Sequence, residues 1–263
     1  VYYHGVTAVN RIIRILIMNF LKLAHELADQ AAAIARSYFR APVEITLKTG
    51  GYPVTAADLA IEAALRQTIM ATFPTHGILG EEYGEAPFQG EYLWVIDPID
   101  GTTSFACGKP TFCTLIALLQ NGKPILSIID QPITRDRWVG QEGKPTTWNG
   151  IPCVTRTQPG RIRFSCTTPA MFKTAEERTM FDRISSQASV ISYGGDAYAY
   201  GLLAGGCIDL ILEADLQYYD IAALIPIIEG AGGVITDWEG QALNRENFKG
   251  KVIAAAATYL LPS

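Results

Sequence analysis

Trp94-Val95-Ile96-Asp97-Pro98-Ile99-Asp100-Gly101-Thr102-Thr103 is the stretch from which the rest of the chain can be ordered. An apolar strand delivers two carboxylates, three positions apart, into a turn shaped by Pro98 and Gly101, and two hydroxyls follow at once. Upstream stands Gly80-Glu81-Glu82, a second acidic pair closing the apolar Ile78-Leu79. Far downstream, Tyr218-Tyr219-Asp220-Ile221-Ala222 sets Asp220 ahead of a helix.

Working outward, Leu23, Leu27, Ala31, Ile34 and Tyr38 recur at spacings of three and four, which predicts an amphipathic helix to about Arg40. Val43 to Lys48 reads as a short strand, and Thr55 to Phe73 as a second helix. Short strands follow at Ile78-Leu79, Tyr92 to Ile96, Thr111 to Leu119, Ile125 to Ile129 and Arg137 to Gly140, with Asn121-Gly122 as a hairpin turn. This half reads as two helices on a largely antiparallel sheet. Beyond Trp148-Asn149-Gly150, strands alternate with helices: Arg161 to Cys166, Thr174 to Gln187, Val190 to Ser192, Asp196 to Gly205, Cys207 to Glu213, Ile221 to Gly230, Val234-Ile235 and Val252 to Ala256. Alternation of this kind predicts an α/β layer. Gly143, Pro145, Asn149, Gly150 and Pro152 place a division between an α+β segment, 11–145, and an α/β segment, 146–263.

Composition removes several classes of function. Of 263 residues, 49% are hydrophobic and 18% charged, too apolar for disorder and too interrupted for a multi-span membrane protein. The net charge of −5 offers no broad basic surface, so nucleic acid is not expected as a principal partner. Cys107, Cys113, Cys153, Cys166 and Cys207 are scattered without C-x-x-C spacing, which points to reduced thiols in a cytoplasm-like compartment. His4, His25 and His76 form no helical metal pair. Ile12 to Met18 is interrupted by Arg14 and falls well short of the roughly 20 apolar residues that span a bilayer. No membrane association is expected, and the first residues read as an extension or the remnant of a transit segment, which would make the compartment a plastid.

Carboxylates gathered at the ends of buried strands repel one another and resist desolvation, so they call for a compensating charge. An all-oxygen set with no His or Cys in the motif favours Mg²⁺, with Mn²⁺ as a substitute, over Zn²⁺. Gly101-Thr102-Thr103 adds backbone N–H groups and hydroxyls suited to a phosphate. Each residue also has a purely structural reading. Asp97 and Asp100 can serve Asx-type turns, Glu81 and Glu82 can be solvated, and Asp220 can cap a helix. Asp58 completes the capping box Thr55-Ala56-Ala57-Asp58, and spacing leaves capping and catalysis both open. Three separate loops presenting the same charge beside one glycine-hydroxyl turn favour a joint site.

Gly80-Glu81-Glu82, Asp97 to Thr103 and Tyr219-Asp220-Ile221-Ala222 resemble, in order and spacing, the signatures of the inositol-monophosphatase-like Mg²⁺-dependent phosphatases. The resemblance runs from about residue 20 to the end. It implies a layered α-β-α-β-α sandwich with metals between its two parts. It implies Glu81, Asp97, the Ile99 carbonyl, Asp100 and Asp220 as metal ligands, most of them in the first segment and the last in the second. It further implies Thr102 partnered by Asp58 to orient the attacking water, with Glu81 sharing in management of its proton, and Gly101, Thr102 and Thr103 as the phosphate cradle. Two metals per subunit are expected, with a third at a weaker position. The chain departs from the family there, since Lys48-Thr49-Gly50-Gly51-Tyr52-Pro53-Val54-Thr55 carries glycine where the pattern has Asp. A homodimer is also implied.

Three further segments resemble the histidinol-phosphate phosphatase branch: Ile129 to Ile133 with Arg137 to Gly140; Gly195-Asp196-Ala197-Tyr198-Ala199-Tyr200; and Glu213-Ala214-Asp215-Leu216. Histidinol phosphate carries an ammonium and an imidazole where inositol carries only hydroxyls, so extra carboxylates discriminate between them. Asp196 and Glu213 are the expected substrate contacts, set against a helix cap and a strand-end charge as their structural readings. Tyr198 and Tyr200 read as core or pocket lining. Gln217-Tyr218 replaces the Lys-Pro of that branch. The expected activity is Mg²⁺-dependent hydrolysis of histidinol phosphate in histidine biosynthesis. The alternatives are inositol 1-phosphate or another small phosphomonoester, and a non-enzymatic homologue associated with regulation or RNA processing.

Overall fold

The computed structural model describes residues 2–42, 45–47, 53–158 and 160–261, with side chains from residue 17 onward. Lys48 to Tyr52, and with them the expected glycine departure, lie outside the described residues. Helix α1 (Tyr2–Tyr38) begins well before the periodic segment, at Tyr2, and α2 (Ala56–Thr72) follows the ladder of β1 (Ile45–Leu47) and β2 (Pro53–Thr55).

Eight strands form the large sheet: β3 (Gly77–Gly80), β4 (Gly84–Glu85), β5 (Tyr92–Asp100), β6 (Cys113–Gln120), β7 (Lys123–Gln131), β8 (Asp136–Gln141), β9 (Thr147–Trp148) and β10 (Ile151–Pro152). Their spatial order is β10-β9-β8-β7-β6-β5-β3-β4, antiparallel throughout except for β3 beside β5. Short helix α3 (Thr102–Ala106) follows β5 directly. The sheet thus runs on to Pro152, across the expected division at 145/146.

The second sheet contains β11 (Arg163–Cys166), β12 (Val190–Tyr193), β13 (Leu210–Glu213), β14 (Val234–Thr236) and β15 (Val252–Ala255), in the order β12-β11-β13-β15-β14. Its helices are α4 (Ala175–Ser185), α5 (Asp196–Ala204), α6 (Tyr218–Ile221) and α7 (Leu224–Gly230). The single helix expected over Ile221 to Gly230 is therefore two pieces, the first of which contains Asp220.

Period-two alternation in β5 sorts the core. Trp94 and Ile96 pack with Leu27 and Ala31 of α1 and Ile61 and Leu65 of α2. Leu93 and Val95 face the other way, onto Tyr200 and Leu203 of α5 and Leu224 and Ile228 of α7. Those helices also cover Ile211, Ile235 and Ala254 of the second sheet, while Leu210, Leu212 and Ile253 turn toward Ile184 of α4. The layers are α-β-α-β-α, as the family resemblance implies. One core cluster joins both segments, so burial is shared across the division. No described helix is long and apolar enough to cross a membrane, and the five cysteines are free.

Candidate active site

Strand β5 does not stop at the first carboxylate. Its pairing with β6 shifts register between Asp97 and Asp100, a bulge that accommodates Pro98 and its missing N–H. Thr114 Oγ1 donates to the Pro98 carbonyl at 2.8 Å. The bulge carries both aspartates to the strand end. Asp220 arrives from α6, where its Oδ2 accepts the Gln217 N–H at 2.7 Å. Gln217 is the N-cap, and Asp220 caps back from the third helical position while standing beside the two aspartates of β5.

Asp97, Asp100 and Asp220 each offer an oxygen within 4.8 Å of the others. Asp97 is 1% exposed, and its Oδ1 has no hydrogen-bond partner. Burial, then Glu81, Asp100 and Asp220, hold the Asp97 carboxyl well above the ordinary range, and its side chain also meets that of Glu81. Burial and the charges of Asp196 and Asp220 raise Asp100 likewise, although the Ala197 N–H donates to its Oδ2 at 2.5 Å. Asp220 is pushed up to about 8 by burial, with Glu81 and Glu213 adding to it. Clustered oxygens, an orphaned buried acceptor and mutual repulsion fit a hard divalent cation.

The Asp58 carboxylate turns one oxygen to the helix cap and the other toward Thr102. Its Oδ2 accepts the Thr55 N–H at 2.8 Å, which with the Thr55 hydroxyl oxygen accepting from the helix backbone makes the capping box, and it also accepts the Thr55 hydroxyl at 2.6 Å. Its Oδ1 faces Thr102 Oγ1 at 3.5 Å, and that hydroxyl reaches the Ile99 carbonyl at 3.1 Å. Burial pushes Asp58 up to about 6. Thr102 begins α3 behind Gly101, which sits at φ +85°, and Thr103 is exposed. A Cβ on Gly101 would meet Asp196 Oδ2 at 2.7 Å, so glycine is required by both conformation and space.

Asp196 opens α5 at φ +44°, a left-handed conformation that a non-glycine residue holds at some cost. It does not cap the helix with its side chain. Its Oδ2 accepts the Ser104 hydroxyl at 2.8 Å, and burial raises its pKa. Glu213, 4% exposed, is held more completely: Oε1 accepts the Thr167 N–H at 3.0 Å and its hydroxyl, and Oε2 accepts Tyr200 OH at 3.0 Å. Burial pushes it up to about 7. Tyr198 instead donates to Asp136 at 2.8 Å.

Sequence reasoning did not single out Ser104, Thr167 or Glu62. Thr167 lies far from any motif in the chain, and only the parallel pairing of β11 with β13 brings it to Glu213. Glu62 did leave a signal, four residues after Asp58 on one helix face.

The family model for the inositol monophosphatase family matches residues 17–262. The chain belongs to the inositol monophosphatase family. Its members are metal-dependent hydrolases of phosphoric monoesters. The chain is 45% identical over 226 residues to the chloroplastic bifunctional phosphatase IMPL2 of Arabidopsis thaliana, covering 84% of this chain and 65% of that protein, less than two thirds of its length. A histidinol-phosphatase of Chlorobaculum parvum is 33% identical, over 84% of this chain and 86% of its own. An inositol monophosphatase structure from Zymomonas mobilis superposes with a TM-score of 0.83 at 45% identity, over 93% and 95% of the two chains.

Proposed function

We propose that this member of the family hydrolyses histidinol phosphate to histidinol and phosphate, using Mg²⁺ held by Glu81, Asp97, the Ile99 carbonyl, Asp100 and Asp220. The observation that carries the substrate is the pair Asp196 and Glu213, a half-buried and a buried carboxylate fixed beside the motif turn by Ser104, Thr167 and Tyr200. A leaving group that bears an ammonium and an imidazole is matched by such a pair, whereas a polyol gains little from it. Likeness to histidinol-phosphatases supports the same choice.

When bound, the metals supply a water of lowered pKa and a counter-charge for the leaving oxygen. The chain's own residues do the rest. Asp58, locked through Oδ2, holds Thr102 Oγ1 with Oδ1, and that hydroxyl orients the water for in-line attack on phosphorus. Glu81 shares in taking the water's proton. The Gly101, Thr102 and Thr103 amides receive the phosphate oxygens. Water oxygen bonds to phosphorus as the ester oxygen leaves, and the alcohol takes up a proton. The homodimer implied by the family resemblance belongs to the same reading, and light scattering measures it directly.

A second reading, inositol 1-phosphate, is favoured by the likeness to the Zymomonas mobilis inositol monophosphatase. Phosphate release from both esters, with and without Mg²⁺, separates the two. Histidinol phosphate is expected to be preferred, with that preference lost in Asp196→Ala while Mg²⁺ dependence remains. Preferential release from inositol 1-phosphate by the wild type would reject the substrate and keep the chemistry.

A further inference from the structure

Helix α2 carries a polar stripe of buried Asp58 and Glu62 and half-buried Arg66, spaced by four and therefore on one face. Asp58 belongs to the site already described. Glu62 is 0% exposed, and it meets the turn between β3 and β4 end on. Its Oε2 accepts the Glu82 N–H at 2.6 Å, and its Oε1 accepts the Tyr83 N–H at 3.1 Å and Arg66 Nε at 2.8 Å. Arg66 also donates to the Gly84 carbonyl, closing the far side of the same turn. On the near side, a Cβ on Gly80 would fall 2.0 Å from Glu62 Oε1. Only glycine lets the end of β3 settle onto that carboxylate. Glu81 lies between Gly80 and Glu82, and its own N–H donates to the Ile96 carbonyl at 3.2 Å, one residue before Asp97.

We propose that Glu62 is a positioning residue that fixes the Glu81 turn against α2, and so sets the distance between Glu81 and the Asp58–Thr102 pair. This rests on the metal-dependent reading above. A carboxylate is the acceptor suited to two successive turn amides, because charge-assisted hydrogen bonds are the stronger ones. Stability alone does not account for it. A buried ion pair seldom outperforms well-packed apolar groups, and this one stands beside a cluster of like charge. What Glu62 supplies is a rigid connection: one helix carries Asp58 and, one turn on, the anchor of Glu81.

The test uses the full chain and Mn²⁺ alone as probe, with binding followed by calorimetry or by loss of the free-ion paramagnetic signal. Supporting residues around a metal site typically contribute about 10–100-fold in affinity. Glu62→Ala is expected to weaken Mn²⁺ binding by about that factor, and Glu62→Gln, which keeps one acceptor oxygen, by less. Hydrogen exchange at residues 81–84 should quicken in both. Asp209→Asn, which weakens the ion pair between a buried carboxylate just ahead of β13 and the partly exposed Arg163, is the control for general loss of stability and should leave Mn²⁺ affinity unchanged. Gly80→Ala should weaken binding by pushing on the carboxylate, and the double variant Gly80→Ala/Glu62→Ala should be no worse than the poorer single variant.

Mn²⁺ affinity within about twofold of wild type in both Glu62 variants would overturn the proposal, as would fully additive losses in the double variant. Failure of the underlying reading looks different. Wild type would then bind Mn²⁺ no better than Asp100→Asn, and the role assigned to Glu62 would fall with it.

Discussion

Asp209 and Asp97 are both buried carboxylates at the ends of central strands, and they are settled in opposite ways. Asp209, 0% exposed, precedes β13 and accepts from the Arg163 N–H at 2.8 Å, from Arg163 Nε at 3.2 Å and from Arg163 Nη2 at 3.3 Å, with Arg156 Nε at 3.4 Å. Asp97 is as deeply buried and has an oxygen with no partner, ringed by Glu81, Asp100 and Asp220. The molecule neutralises the first carboxylate with arginine and leaves the second among groups of like charge. Burial does not separate a structural charge from a functional one; the donors around it do.

The largest effect should come from removing a charge at the unpaired end. Asp100→Asn is expected to lower phosphate release by at least about 100-fold at saturating Mg²⁺, more than a supporting residue would. The same substitution should raise the melting temperature of the metal-free protein, because it removes like-charge repulsion among the clustered carboxylates. Calorimetry with and without chelator checks both signs. A metal-free variant less stable than wild type would mean that Asp100 is paired like Asp209, and the comparison would collapse. Asp209→Asn should show the converse. It removes the negative charge and one of the two acceptor oxygens that face two partly exposed arginines and a backbone N–H, a loss of about 2 kcal/mol after discounting for solvent, with turnover per folded molecule unchanged.

The contrast also shows what the sequence could disclose. Asp97, Asp100 and Glu81 are legible because strand, turn and charge occur together in one short reading frame, and Asp220 because it repeats that charge before a helix. The layers are legible from periodicity, since Trp94 and Ile96 must face one way and Leu93 and Val95 the other. Arg163, Arg156 and Asp209 carry no such mark. Their pairing depends on β11 lying parallel to β13, a long-range register that local patterns do not encode. Thr167 is hidden for the same reason. Spacing leaves capping and catalysis both open for Asp58, and the structure turns one oxygen to the cap and the other toward Thr102.

That division of labour makes the next prediction smaller and sharper. Thr102→Ala removes the hydroxyl facing Asp58 Oδ1 and leaves the capping box untouched. Turnover should fall by about 10²-fold, in the range for a positioned proton-handling group, with stability changed by less than about 1 kcal/mol. Asp58→Ala should match that loss of turnover and also cost about 1 kcal/mol of cap stability. Chemical denaturation alongside initial rates resolves the two. A Thr102→Ala enzyme of wild-type rate would return Asp58 to capping alone.

The smallest expected effect concerns a third way of settling a titratable group, the half-buried His76, by keeping it neutral. His76 stacks between Phe73 at 4.5 Å and Tyr92 at 4.9 Å, and its Nδ1 accepts from Trp94 Nε1 at 3.1 Å. Burial lowers its pKa. The folded chain therefore binds a proton less readily than the unfolded one, so the stabilisation is present above the ordinary histidine range and fades as pH falls through it. Protonation would also set a second N–H against the indole donor. Melting temperature should decline between pH 7.5 and 5, and the slope should become shallower in His76→Asn. His25, lowered by burial and by Arg137, adds to the same slope and remains in that variant, so a residual decline is expected. Equal slopes in the two proteins would show that the aromatic box tolerates the charge, and that neutrality at His76 is not enforced as pairing is at Asp209.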